Sequence, residues 1–186
     1  KKPVQHILKG RDTMDVILVD ERDEPVGTMG KMEVHQKALL HRAFSVFILN
    51  TKGELLLHKR APNKYHSAGL WTNACCSHPR PGEDTLVAAK KRLQEEMGIK
   101  TSLKKAFHFM YKASFENGLT EYEFDHLFIG KYDGEISPDK NEVSDYCYKS
   151  IDEIKNSLIT HPQKYTEWFK IAFPKVQDYL IKNSNS

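Results

Sequence analysis

The chain has 186 residues, 39% hydrophobic and 28% charged, with a net charge of +3, which is enough for one domain with a sizeable core. So small a charge excess gives no basis for a nucleic-acid or membrane partner, and no apolar run approaches the ~20 residues that a membrane span needs. The first residues lack the apolar core of a secretory signal, and three cysteines cannot form a complete disulfide set, so a cytoplasmic protein with reduced thiols is expected.

Residues 1–12 are expected to form a flexible N-terminal extension. Segment 14–20 (MDVILVD) alternates and is rich in branched side chains, as a strand is, and ERDEPVG reads as a turn into a second strand. Segments 42–50 and 54–60, joined by Thr51, Lys52 and Gly53, predict a hairpin. Residues 61–69 contain Pro62, Asn63, Ser67 and Gly69 and read as a loop. The strongest helix pattern spans 83–97, where Leu86, Ala89, Leu93 and Met97 recur at steps of three and four. Asp84 or Thr85 caps its start, and Gly98 marks its end. Further strands are expected at 106–115, 121–131 and 143–148. Helices follow at 151–158 and 166–181, the second with Trp168, Ile171, Ala172 and Val176 on its inner side. Strands and helices interleave without a regular βα alternation, which predicts a single α+β domain with a mixed sheet over 1–186.

Some polar residues are not explained by a core. Segment 71–79, WTNACCSHP, sets Cys76 and His78 two residues apart, on one side if the chain is extended there. The pair reads either as a buried small residue beside a surface imidazole or as a functional pair, the latter being a catalytic dyad or part of a metal site. In EYEFDHLF, alternation puts Glu121, Glu123 and Asp125 on one face and Tyr122, Phe124 and His126 on the other. The acids are either the solvated side of an edge strand or a ligand pair for a cation. His35 and His41 bracket a short segment just before the strand at 42. Together with His78 and the two glutamates they make a set of three nitrogens and two carboxylates, suited to Mn²⁺, Zn²⁺ or Fe²⁺ rather than Mg²⁺ or Ca²⁺. Helix 83–97 is expected to carry Lys91 and Arg92 on one flank and Glu95 and Glu96 on another, for a diphosphate on one side and Mg²⁺ on the other.

Segment 82–99, GED…KKRLQEEMGI, resembles a degenerate Nudix signature through Glu83, Leu93, Glu95, Glu96, Gly98 and Ile99. Ser77 stands where that pattern has its first Gly, and Lys91-Arg92 replaces an Arg-Glu pair, which argues for binding a diphosphate without cleaving it. LLHRAFSVF, WTNACCSHP, YKA and EYEFDHLF together resemble the type I isopentenyl-diphosphate isomerase family, over about residues 14 to 169. The resemblance implies a Nudix-like mixed sheet sandwiched between helices. It also implies an isomerase that interconverts isopentenyl and dimethylallyl diphosphate through a tertiary carbocation. By the same resemblance, His35, His41, His78, Glu121 and Glu123 bind a divalent metal, Mn²⁺ or Zn²⁺, and Cys76 is the thiol catalyst facing Glu123 and Tyr111. Glu96 holds a Mg²⁺ against the diphosphate with help from the Cys76 carbonyl, and no flavin is involved. Lys31, Arg60, Lys64 and Arg92 grip phosphate oxygens, and Trp168 covers the hydrocarbon end. The implied partner is a small diphosphate, with no nucleic acid and no membrane, and the sequence is compatible with a monomer or a dimer.

Overall fold

The run HRAFSVFIL, His41–Leu49, is buried at every position except Arg42, and a strand so apolar on both faces belongs in the middle of a sheet. In the computed structural model, which describes residues 14–184, it does. The expected extension at 1–12 lies outside the described residues. The strands are β1 (Asp15–Val19), β2 (Pro25–Gly30), β3 (His41–Leu49), β4 (Leu55–Arg60), β5 (Trp71–Thr72), β6 (Cys75–Ser77), β7 (Leu103–Ser114), β8 (Thr120–Lys131) and β9 (Val143–Lys149). The helices are α1 (Lys31–Lys37), α2 (Thr85–Met97), α3 (Ile151–Thr160) and α4 (Glu167–Asn183).

β3 pairs in parallel with β8 from His41↔Glu123 to Leu49↔Lys131, and antiparallel with β6 from Phe44↔Ser77 to Val46↔Cys75. The hairpin expected over 42–60 therefore closes at a single pair, Leu49↔Leu55. Both edges of β3 are already taken, so β4 leaves it after the turn and pairs instead with β9 and β5. Alternation along β3 sends Phe44, Val46 and Ile48 to one face, where they pack with Leu93 and Met97 of α2. Phe47 and Leu49 go to the other face, against Phe169, Phe173 and Val176 of α4. The result is the expected mixed sheet between helices. Among the described residues, no helix is long and apolar enough to cross a membrane.

Capping explains where the main helices begin. The Asp84 side chain accepts the Val87 N–H, which starts α2 at Thr85 rather than at 83, and Gly98 ends it at φ 67°. Thr166 caps α4 by accepting the Phe169 N–H. α1 is an addition to the expected elements: only Val34 and His35 are buried along it, so it shows no apolar stripe. β7 starts at Leu103, earlier than expected, because a bulge between Lys105 and Phe107 breaks its alternation.

His58 on β4 is buried, with Nδ1 3.0 Å from the Ala74 carbonyl. Burial, reinforced by the charge of Arg60, holds this imidazole down to about 4. Folding thus disfavours its protonation. The stability it contributes is complete above the unfolded value near 6.5 and is lost as pH falls from there through about 4. The full effect is on the order of 3 kcal/mol. Urea unfolding of His58→Gln should show a shallower loss between those pH values than the parent chain, and superimposable pH profiles would contradict this.

Candidate functional site

Alternation on β8 brings Glu121, Glu123 and Asp125 to one face, and there they are only 5%, 5% and 2% exposed. They are not the solvated side of an edge strand, since β8 lies between β3 and β7. α1, the start of β3 and the residue after β6 bring three imidazoles to the same place. The Nδ1 atoms of His35 and His41 lie 2.6 and 2.9 Å from the carbonyls of Lys31 and Leu39. A carbonyl can only accept, so these rings carry their proton on Nδ1 and turn the Nε2 lone pair toward the acids. His35 Nε2 is buried without a hydrogen-bond partner, 3.9 Å from Glu121 Oε1. His41 Nε2 is 3.2 Å from His78 Nε2, which is 3.0 Å from Glu123 Oε2.

Burial drives all three imidazoles toward the neutral form, His41 to about 4 and His78, which also feels His41 and Lys31, well below its ordinary value. Ligand atoms of His35, His41 and His78 lie within 4.8 Å of one another, and so do those of His35, His66 and Glu121. An orphaned buried nitrogen, facing lone pairs and two adjacent carboxylates are a donor set that fits a borderline divalent cation.

The Tyr111 hydroxyl donates to Glu121 Oε2 at 2.8 Å and also makes a short hydrogen bond with Glu123 Oε1. One phenolic proton cannot serve two carboxylates, so a further proton belongs on this trio. Burial and the charges of Glu121 and Asp125 push Glu123 up. Burial acts on Glu121 in the same direction, but His66, the largest opposing influence, and the Tyr111 hydroxyl outweigh it and bring that group down.

Cys76 is held differently. Its thiol donates to Asn73 Oδ1 at 3.2 Å and lies 3.5 Å from Ser45 Oγ. The Asn73 amide is fixed by the carbonyls of Val46 and Cys75, each at 2.9 Å, which aims its oxygen at the sulfur. Burial, followed by the charge of Asp125, raises the thiol so far that it keeps its proton at neutral pH. Cys76, Glu123, Tyr111 and Trp168 line one cleft together with Lys31, Arg60, Lys64, Arg92 and Glu96.

The basic residues at the mouth already have interactions. Lys64 pairs with Glu142 at 2.7 Å, Lys31 sits over the Tyr65 ring at 5.2 Å, and the Arg60 guanidinium lies 5.0 Å from the Trp168 ring. Arg92 corrects an expectation: it is not on a separate flank from the acids. Steps of three and four share a helix side, and Arg92 pairs with Glu95 at 2.7 Å and with Glu96. Glu96 also accepts the Cys75 thiol at 3.2 Å. Sequence reasoning did not single out Ser45, Asn73 or His66. The first two lie inside segments already quoted, whereas His66 sits in a loop with no periodicity to mark it.

The NUDIX domain family matches residues 39–169. Isopentenyl-diphosphate Delta-isomerase of Pectobacterium atrosepticum is 49% identical over 167 residues, covering 89% of this chain and 92% of that protein. Isopentenyl-diphosphate Delta-isomerase 2 of Photorhabdus laumondii is 52% identical over 155 residues, covering 83% and 88%. Among solved structures, DR0079 from Deinococcus radiodurans superposes with a TM-score of 0.73 at 17% identity, over 87% of this chain and 98% of that one. The MutT protein of Methanosarcina mazei does so at 0.62 and 20% identity, over 75% and 94%. At such identities the two structures speak for the fold alone.

A cation binding only the folded donor set must stabilise it. Mn²⁺ added to chelator-treated protein at a hundredfold its dissociation constant should raise unfolding stability by about 2.7 kcal/mol. The gain should largely vanish in His35→Ala, as read by thermal unfolding. A midpoint indifferent to Mn²⁺ and Zn²⁺ would contradict the donor set.

Proposed function

The chain belongs to the NUDIX domain family and to the isopentenyl-diphosphate Delta-isomerases, and from that premise we propose how its cleft performs the reaction. The protein interconverts isopentenyl and dimethylallyl diphosphate in isoprenoid biosynthesis. The double bond moves when a proton is added to the terminal methylene carbon and another is removed from carbon 2, with positive charge on the tertiary carbon between. That requires an acid, a base and the exclusion of water. One observation carries the reading: a half-buried thiol that keeps its proton and a buried tyrosine–carboxylate pair open on the same cleft.

In this reading Cys76 handles the proton on one side of the five-carbon chain and Glu123 on the other. Tyr111 exchanges a proton with Glu123 Oε1, and Asn73 holds the thiol in direction. The Trp168 ring lies along the hydrocarbon and faces the cationic carbon, contributing about 0.5–2 kcal/mol by cation–π attraction. Lys31, Arg60, Lys64 and Arg92 take the diphosphate, with Lys64 and Arg92 exchanging the carboxylates they now pair with for phosphate oxygens. His35, His41, His78, Glu121 and Glu123 hold a divalent cation, Mn²⁺ or Zn²⁺, which when bound supplies the positive charge that fixes both carboxylates. Glu96 and the Cys76 carbonyl would hold Mg²⁺, whose charge would help bind the diphosphate. A cytoplasmic, reducing setting suits a catalyst that must remain a thiol.

The alternative chemistry of this fold is diphosphate hydrolysis, and Arg92 speaks against it. Where a hydrolase needs an acid beside its metal and water, this chain places a guanidinium that neutralises Glu95 and Glu96. Incubated with isopentenyl diphosphate, Mn²⁺ and Mg²⁺, the protein should form dimethylallyl diphosphate by ¹H NMR without releasing phosphate. Cys76→Ala should bind substrate within a few-fold of the parent but lose about 10²–10⁴-fold in kcat. Normal turnover in that variant removes the thiol from the mechanism.

A further inference from the structure

A buried chain of hydrogen bonds leads from Cys76 to the start of α4. Its members Thr72, Asn73 and Thr166 are only 1%, 1% and 0% exposed. In so dry a setting each bond made is strengthened and each one missing is costly.

The direction of every hydrogen along this chain is fixed. The two amide hydrogens of Asn73 go to the carbonyls of Val46 and Cys75, each at 2.9 Å. Carbonyls only accept, so the amide cannot be turned over, and Oδ1 must face the Thr72 hydroxyl at 2.9 Å and the Cys76 sulfur at 3.2 Å. An amide oxygen has no hydrogen to give, so Thr72 donates to it. The Thr72 oxygen is left to accept, and its donor is the Thr166 hydroxyl at 3.2 Å. Thr166 accepts in turn from the Phe169 N–H at 3.3 Å, the bond that caps α4. The Thr166 backbone N–H is pinned as well, by the Trp71 carbonyl at 3.0 Å, and Trp168 follows two residues later.

Asn73 is thereby saturated, with both hydrogens donated and both acceptor positions of Oδ1 in use. Thr72 takes one of those positions and leaves the thiol hydrogen the other. It also holds the hydroxyl that begins the helix carrying Trp168.

We infer that Thr72 is a positioning residue: its hydroxyl confines the Cys76 S–H to one side of Asn73 Oδ1 and ties that acceptor to the cap of α4, which keeps the thiol and Trp168 in register across the cleft. The inference rests on the reading of Cys76 as the thiol catalyst. A catalytic group released from its alignment loses rate rather than substrate affinity.

The experiment compares the full chain with Thr72→Val, Thr72→Ser and Cys76→Ala. It reads kcat and KM for isopentenyl diphosphate, urea unfolding, and the Raman S–H stretching band of Cys76. That band is isolated by subtracting the spectrum of the same chain carrying Cys76→Ala. Thr72→Val keeps the shape and removes the hydroxyl, and should lose about ten- to a hundredfold in kcat with KM within about twofold of the parent. Its S–H band should broaden, because the thiol hydrogen gains a second position on Oδ1. Thr72→Ser keeps the hydroxyl and should recover the parent band and kcat to within about threefold. If the valine variant does not stay folded, Thr72→Ala carries the same comparison. Parent-like kcat and band without the hydroxyl overturn the inference. Equal losses in the valine and serine variants also overturn it, since the residue then only packs, and so does a raised KM with parent-like kcat. Cys76→Ala separates the two levels. Normal turnover there overturns the thiol reading and the role of Thr72 with it. Lost turnover there beside a parent-like Thr72→Val overturns the role of Thr72 alone.

Discussion

Burying three carboxyl groups on one face of one strand is the constraint around which the rest of this molecule is arranged. Each carboxylate taken from water costs several kcal/mol unless it is neutralised, paired or ligated. Asp125 is answered by the Ser45 hydroxyl at 2.7 Å and is pushed up to about 7 by burial, so it can take a proton rather than remain an uncompensated charge. Glu121 and Glu123 are answered by a shared tyrosine and by imidazoles drawn from α1, β3, the 61–69 loop and the residue after β6. Nearly every element near the cleft therefore contributes a group that the acids require. A cation that satisfies several of those groups at once adds to the stability of the fold as well as to its chemistry.

β3 turns that constraint into geometry. Its parallel pairing with β8 sets Glu123 opposite His41, and its antiparallel pairing with β6 sets Cys76 opposite Ser45. The thiol thus arrives from one edge of the central strand and the carboxyl group from the other, with Tyr111 beside Glu123 on β7. Because β3 is buried on both faces and packed against both helical layers, the spacing between thiol and acid is anchored in the core of the sheet. The basic residues, by contrast, come from the rim, where Lys64 rests on Glu142 and Arg92 on Glu95.

Much of this was legible in the residues. Alternation alone put Glu121, Glu123 and Asp125 on one face of β8, and a step of two put Cys76 and His78 near each other. Whether the acid face met water or a cleft was not legible, because that depends on β3 and β7 flanking β8, a matter of pairing between distant segments. The same limitation explains the hairpin at 42–60: its turn is local, but the edges of β3 are claimed by strands far along the chain. α1 left no pattern because only Val34 and His35 face inward. His66 was hidden for a similar reason: in a loop, burial comes from neighbours such as Phe115 and Trp168 and not from period. Arg92 lies on the side of Glu95 and Glu96 because the helical steps of three and four place it there, which the sequence already contains.

The central claim is that proton entry and proton departure are served by groups on opposite sides of the bound five-carbon chain. The most direct measurement is stereochemical. Isopentenyl diphosphate labelled with deuterium at one prochiral position of carbon 2, and with tritium in one orientation on the terminal methylene, is converted in D₂O, and the chirality of the new methyl group is compared with the isotope lost from carbon 2. The account predicts addition on one face of the double bond and loss from the other. Addition and loss on the same face would contradict it, because a single group or a single wall would then carry both transfers.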